Sequence, residues 1–222
     1  MKRPGKEVSG YGQRPIIYFL KRSKKRILKH NKKTGLLFGS FNPIHSGHLI
    51  LANYMAEFTD LDEVWLVVSP QNPLKEKAGM LADFHRLALV RLAVEYQPRL
   101  KVSNIEFKMP KPSYTIDTLT WLSDQYPERE FVMICGTDIF SHFHKWKNYH
   151  EILNQYSLYV YPRRGSSLGK YESHPKITLF DAPLLEISSS FIRKGIRARK
   201  NMSFWMPDKV YQYILEMHFY EK

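Results

Sequence analysis

Apolar residues in this chain fall into two alternating patterns, short continuous runs and longer stripes with helical spacing. The runs are "GLLFG" (35–39), "EVWLVVS" (63–69), "KVSNIEF" (101–107), "EFVMICG" (130–136), "YSLYVYP" (156–162) and "KITLFDA" (176–182). Runs this short, rich in Val, Ile and aromatics, read as strands, and those apolar throughout read as strands covered on both faces. Between them lie helix-spaced segments at 47–58, 84–96, 115–124, 188–198 and 208–217, the second with Asp83 in position to cap it. The aromatic-rich end, "FWMPDKVYQYILEMHFY", reads as a packed terminal helix. Strand and helix alternating at this spacing predict right-handed βαβ units and an α/β fold. The expected architecture is a Rossmann-like, doubly wound, mainly parallel sheet with helices on both faces.

Composition changes the picture at the amino end. The net charge of the 222-residue chain is +13, yet residues 1–34 hold twelve Lys/Arg and a single acid, Glu7. The body from Gly35 onward has 22 basic and 20 acidic residues and is nearly neutral, so overall basicity gives no argument for a nucleic-acid-binding fold. The expected organisation is a basic extension, 1–34, disordered or dispensable, followed by one domain, 35–222. For the extension the composition leaves three readings open: an arm for nucleic acid or an anionic membrane surface, a solvated appendage, or upstream sequence outside the natural protein. A lone cysteine, Cys135, excludes an internal disulfide framework. No apolar run reaches the roughly 20 residues that would span a bilayer, and no secretory leader is evident. The expectation is a cytoplasmic protein, with an oligomer left open.

The unusual residues follow the strands: "GSFNPIHSGH", "SPQNPLK", "GTDIF" and "YPRRG". In doubly wound sheets ligands sit at the carboxyl ends of strands, so this placement favours one shared site. His45 and His48 stand at the mouth of a helix. A metal centre would need a third ligand, and none is evident; His142, His144 and His150 form only a loose cluster. A plain helix start is a second reading. A third is phosphate binding: Gly39 allows a tight turn, Gly47 leaves room for a ligand to approach, and the helix start offers free N–H groups and its positive dipole end. Imidazoles there can donate hydrogen bonds to a polyphosphate, whether neutral or charged.

"GSFNPIHSGH" resembles the HxGH signature of the nucleotidyltransferase superfamily. "ISSSFIR", about 140 residues downstream, is similar to its ISSTxIR motif. "PSYTIDTL" and "ICGTDIFSHFHKW" resemble segments of the bacterial nicotinate-nucleotide adenylyltransferases, and the likeness covers residues 35–220. Two positions depart from the pattern. Leu74 stands where the family commonly has His, and Asn42 where Asp is common; the latter is expected to weaken a turn hydrogen bond only slightly.

The resemblance implies adenylyl transfer from ATP to nicotinate mononucleotide, giving nicotinate adenine dinucleotide and pyrophosphate, with Mg2+ carried on the ATP and no metal ligand from the protein. It assigns the phosphates to His45, His48, Lys75 and Arg193. The ATP site would comprise Gly39, Ser40, Phe41, His45, Gly47, His48, Ile187, Ser188, Ser189, Ser190 and Arg193. The mononucleotide would meet Ser40, Phe41, Lys75, Tyr114, Thr115, Gly136, Asp138 and Trp146. Arg163 and Arg164 read equally well as phosphate contacts or as a solvated strand end. A sister enzyme using nicotinamide mononucleotide, or one of dual specificity, is the alternative. A nucleic-acid-binding protein acting through its basic tail is a more distant one.

Overall fold

The computed structural model describes residues 31–70 and 79–221. The basic stretch 1–30, most of the expected extension, lies outside the described residues, as do Lys75 and Leu74. Six strands form one parallel sheet: β1 (Lys32–Gly39), β2 (Glu63–Val68), β3 (Leu100–Ser103), β4 (Arg129–Gly136), β5 (Ser157–Tyr161) and β6 (Ile177–Leu179). Their order across the sheet is β3-β2-β1-β4-β5-β6, every neighbouring pair parallel. This is the doubly wound, Rossmann-like arrangement that the alternation predicts.

The helices are α1 (Ser46–Phe58), α2 (Asp83–Val94), α3 (Thr115–Gln125), α4 (Tyr149–Gln155), α5 (Ser189–Arg197) and α6 (Asp208–Glu216). Two apolar cores, one on each face of the sheet, explain why the central strands are apolar throughout. Leu37, Leu66, Val132 and Ile134 pack with residues of α1, α2, α5 and α6. Leu36, Val67, Phe131, Met133 and Cys135 point the other way, to α3 and α4. The alternation of strand side chains divides each run between the two layers.

Several local expectations change. The strand at 35–39 begins earlier, at Lys32, because Lys32 pairs with Glu63 (2.5 Å) and Lys33 with Asp60 (2.7 Å). The run 101–107 is strand only to Ser103 and then turns into a 3-10 segment, Ile105–Lys108. That turn buries the Glu106 carboxylate, which accepts from the hydroxyls of Thr118 (2.9 Å) and Ser113 (3.1 Å). Asp83 is the first residue of α2 rather than its cap, and its carboxylate goes to Arg86 (2.6 Å). Helix α4, polar on one side and short, has no counterpart in the apolar pattern. Cys135 is a buried core residue whose thiol burial pushes up, out of reach of ionisation.

Candidate active site

The strand order reverses between β1 and β4, and the crevice at their carboxyl ends is where the site residues collect. After Gly39 the backbone turns sharply. Phe41 adopts φ 45°, in the left-handed region, and is only 1% exposed. For a bulky residue this conformation costs on the order of 1 kcal/mol or more. The strain has a visible purpose: the Phe41 ring folds back over Gly39, where a Cβ would lie 2.8 Å from it. The same ring sets its edge against His48 (centroids 5.0 Å, 78° between planes).

The two histidines are stacked on each other, with ring centroids 3.7 Å apart and planes at 26°. His45 precedes the first turn of α1, and its carbonyl accepts from the His48 N–H (2.9 Å). His45 is 4% exposed, and its buried Nδ1 has no partner among the described residues. Burial, reinforced by the positive charge of Arg163, lowers its pKa from 6.5 to about 4. The free protein therefore holds a neutral imidazole here at neutral pH. Arg163 lies near the histidines: its N–H donates to Thr137 Oγ1 (2.8 Å), and its side chain passes beside Gly136. Arg164 is exposed in the turn that follows and faces Glu186 at 3.3 Å.

The second motif meets the first directly. A Cβ on Gly47 would come 3.1 Å from His45 Nδ1 and 3.3 Å from Ile187 Cβ. The missing side chain at Gly47 thus lets His45 and Ile187 pack against the backbone where the two motifs meet. Ser188 caps α5 by accepting from the Phe191 N–H (3.1 Å), and the Ser189 hydroxyl donates to the Pro43 carbonyl (2.9 Å). Arg193 donates to the Asn42 carbonyl (2.8 Å) and to Ser190 Oγ (3.2 Å). Two helix starts, α1 and α5, consequently share one wall of the crevice. The hydroxyls of Ser188 and Ser189 serve the fold, while Arg193 ties α5 to the β1 turn and carries Ser190 with it at the exposed start of the helix.

On the β4 side, Asp138 folds back over Gly136; a Cβ there would meet its carboxylate. Lys147 links the start of α3 to the segment after β4. Its ammonium lies 4.9 Å from the Tyr114 ring centroid and 2.8 Å from Asp117. Trp146, next to Lys147 in the chain, leans its ring on Phe143 (5.3 Å), and its buried Nε1 has no partner among the described residues.

Two residues that the sequence reading did not place in the site organise it. Arg86 is 0% exposed, and all five of its guanidinium N–H donors are used. They go to the carbonyls of Ser40, Ser69 (2.8 Å), Pro70 (3.2 Å) and Leu81 (3.1 Å), and to Asp83 (2.6 Å). One side chain therefore fastens the β1 turn to both flanks of the 71–78 segment. Its signal was legible: an arginine on the buried face of α2, three residues after an acid. Asn42 is the second. Its Nδ2 donates to the Gly79 carbonyl (2.9 Å), while its Oδ1 accepts from the Leu81 N–H (3.1 Å) and the Tyr220 hydroxyl (2.7 Å). The expected mild turn substitution is instead a buried junction, because an aspartate there has no donor for Gly79.

Residues 36–195 match the model of the cytidylyltransferase-like family. A "probable nicotinate-nucleotide adenylyltransferase" of Flavobacterium psychrophilum is 52% identical over 192 residues, covering 86% of this chain and 100% of that protein. One of the same name from Christiangramia forsetii is 49% identical over 193 residues, with 86% and 100% coverage. The fold is shared with a Plasmodium falciparum nicotinic acid mononucleotide adenylyltransferase solved with NaAD (TM-score 0.72, 17% identity, 86% of this chain and 98% of that one). The chain thus belongs to the cytidylyltransferase-like family, and within it to the nicotinate-nucleotide adenylyltransferases.

Proposed function

We propose that this chain transfers the adenylyl group of ATP to nicotinate mononucleotide, releasing pyrophosphate and giving nicotinate adenine dinucleotide. The observation that carries the reading is the junction of the two helix starts, where Ser189 and Arg193 of α5 bond the Pro43 and Asn42 carbonyls beside the stacked His45 and His48. Such a corner offers N–H dipoles, imidazoles and a guanidinium to a chain of phosphates.

The attacking group is the mononucleotide phosphate, already an anion near neutral pH, so no general base is required. The work left to the protein is alignment and charge. The nucleophilic oxygen must lie in line with the α-phosphorus, and the departing pyrophosphate must be stabilised. His48 is assigned to the α-phosphate, with His45 beside it. Ser190, Arg193 and the α5 N–H groups take the β- and γ-phosphates, and Arg163 adds a fixed positive charge from the segment after β5. Ser40 and Phe41 supply backbone between the two substrates. Tyr114, Thr115, Gly136, Asp138 and Trp146 form the mononucleotide side. Lys75, outside the described residues, is assigned to the phosphates as a cation.

Among the described residues no three His, Cys, Asp or Glu side chains are grouped to hold a metal ion. The donor set suits anions, and Mg2+ fits this site as a partner of the triphosphate oxygens. Bound there, it supplies neutralisation of charge on the transferring phosphates. The described residues also contain no helix long and apolar enough to cross a membrane.

Pyrophosphate release with Mg-ATP and either nicotinate or nicotinamide mononucleotide tests the assignment, the acid being the expected substrate. His48→Ala should lower kcat by about a hundredfold or more with the fold intact, the range seen when one transition-state donor is removed. Near-normal kcat in that variant would remove His48 from the transferring phosphate.

A further inference from the structure

Beyond α6 the chain turns back on itself in an unusual way. His218 (φ 52°) and Tyr220 (φ 66°) both occupy the left-handed region, which non-glycine residues rarely enter. Two such residues within three positions cost on the order of 1 kcal/mol each and persist only where surrounding contacts hold them. The contacts are specific. Phe219 packs its ring on His85 of α2 (centroids 4.6 Å), and its N–H returns to the Ile214 carbonyl (3.0 Å). The turn then delivers the Tyr220 hydroxyl to Asn42 Oδ1 at 2.7 Å.

Asn42 is the residue whose own carbonyl receives Arg193 Nη1 (2.8 Å). Its side chain is 5% exposed and has a defined orientation, since Nδ2 must face the Gly79 carbonyl and Oδ1 must face two donors. A cavity of about 1160 Å3 is lined by Tyr220 together with Arg193, Ile196, Tyr211 and Phe219. The hydroxyl–amide hydrogen bond is the polar contact that ties the phenol to Asn42. Burial keeps the Tyr220 hydroxyl protonated, raising its pKa well above the ordinary value, so it remains a donor throughout the working pH range.

We infer that Tyr220 is a positioning residue for the ATP phosphates: by fixing Asn42, its hydroxyl sets the backbone carbonyl on which Arg193 is oriented. The inference rests on the phosphate role given to Arg193 above. The C-terminal turn thus tunes the triphosphate side of the site without touching substrate, and acts less on the mononucleotide side, whose side chains come from α3 and the segment after β4.

Steady-state kinetics on the full-length protein test this with Tyr220→Phe, which keeps the ring and removes one oxygen. The KM for ATP should rise about fivefold, the value of one neutral hydrogen bond, while the KM for the mononucleotide stays within about twofold. Arg193→Ala should raise the ATP KM further, and adding Tyr220→Phe to it should change nothing more, because the tyrosine acts through the arginine. An unchanged ATP KM in Tyr220→Phe, with Arg193→Ala still impaired, overturns the positioning role and leaves the phosphate assignment standing. Equal rises in both KM values, or full additivity in the double variant, overturn it as well by showing a general structural effect. If Arg193→Ala itself binds ATP normally, the phosphate assignment fails, and the inference falls with it.

Discussion

Replacing His45 with asparagine should flatten the acid side of the protein's stability curve. The imidazole is 4% exposed, lies face to face with His48 at 3.7 Å, and feels the charge of Arg163. Protonating it places a cation in a desolvated corner, which is why its pKa falls from 6.5 to about 4. The unfolded chain takes up this proton first. Stability is therefore fully present above about pH 6.5, is lost as the pH falls toward about 4, and changes no further through this group below that. The whole fall corresponds to about 3 kcal/mol, of which about 2 kcal/mol is lost between pH 7 and pH 4.5. Urea unfolding at those two pH values, in the wild type and in His45→Asn, isolates the effect, because every other titrating group is common to both proteins. The wild type should lose about 2 kcal/mol more than the variant over this interval. Parallel losses would mean that His45 is not held neutral by its surroundings.

Trp146→Ala should raise the KM for nicotinate mononucleotide about tenfold, in keeping with the loss of a stacking surface, and leave the KM for ATP nearly unchanged. Equal losses for the two substrates would take Trp146 out of the ring pocket. Arg86→Gln should destabilise the protein by about 3–5 kcal/mol in urea unfolding, since it strips buried carbonyls of their donors and leaves Asp83 without its partner. A loss under about 1 kcal/mol would show that water replaces the guanidinium.

Much of the fold was legible because strands covered on both faces must be apolar in their centres, as 131–135 and 64–68 are, and this pattern survives any tertiary context. The two motifs that meet at the α1 and α5 starts were legible for a related reason. Glycine, histidine, serine and arginine at a strand-to-helix turn are there for their own chemistry, and both motifs follow from short local geometry. The 3-10 turn after β3 was not legible, because Ile105 is as apolar as a strand residue and only the burial of Glu106 against Ser113 and Thr118 decides the bend. Helix α4 escaped because seven residues carry too little periodicity to stand out.

The sequence by itself determined the layering, most of the order of elements and which two helix starts would carry the histidine and serine motifs, since each depends on neighbours a few residues apart. It left open which polar side chains would hold those turns in place. Arg86, Asn42 and Tyr220 join segments separated by as many as 178 positions, and the value of each bond depends on burial that arises only when the sheet and its two helical layers close. A buried donor must find an acceptor wherever the fold happens to bring one, and that choice is made in three dimensions rather than along the chain.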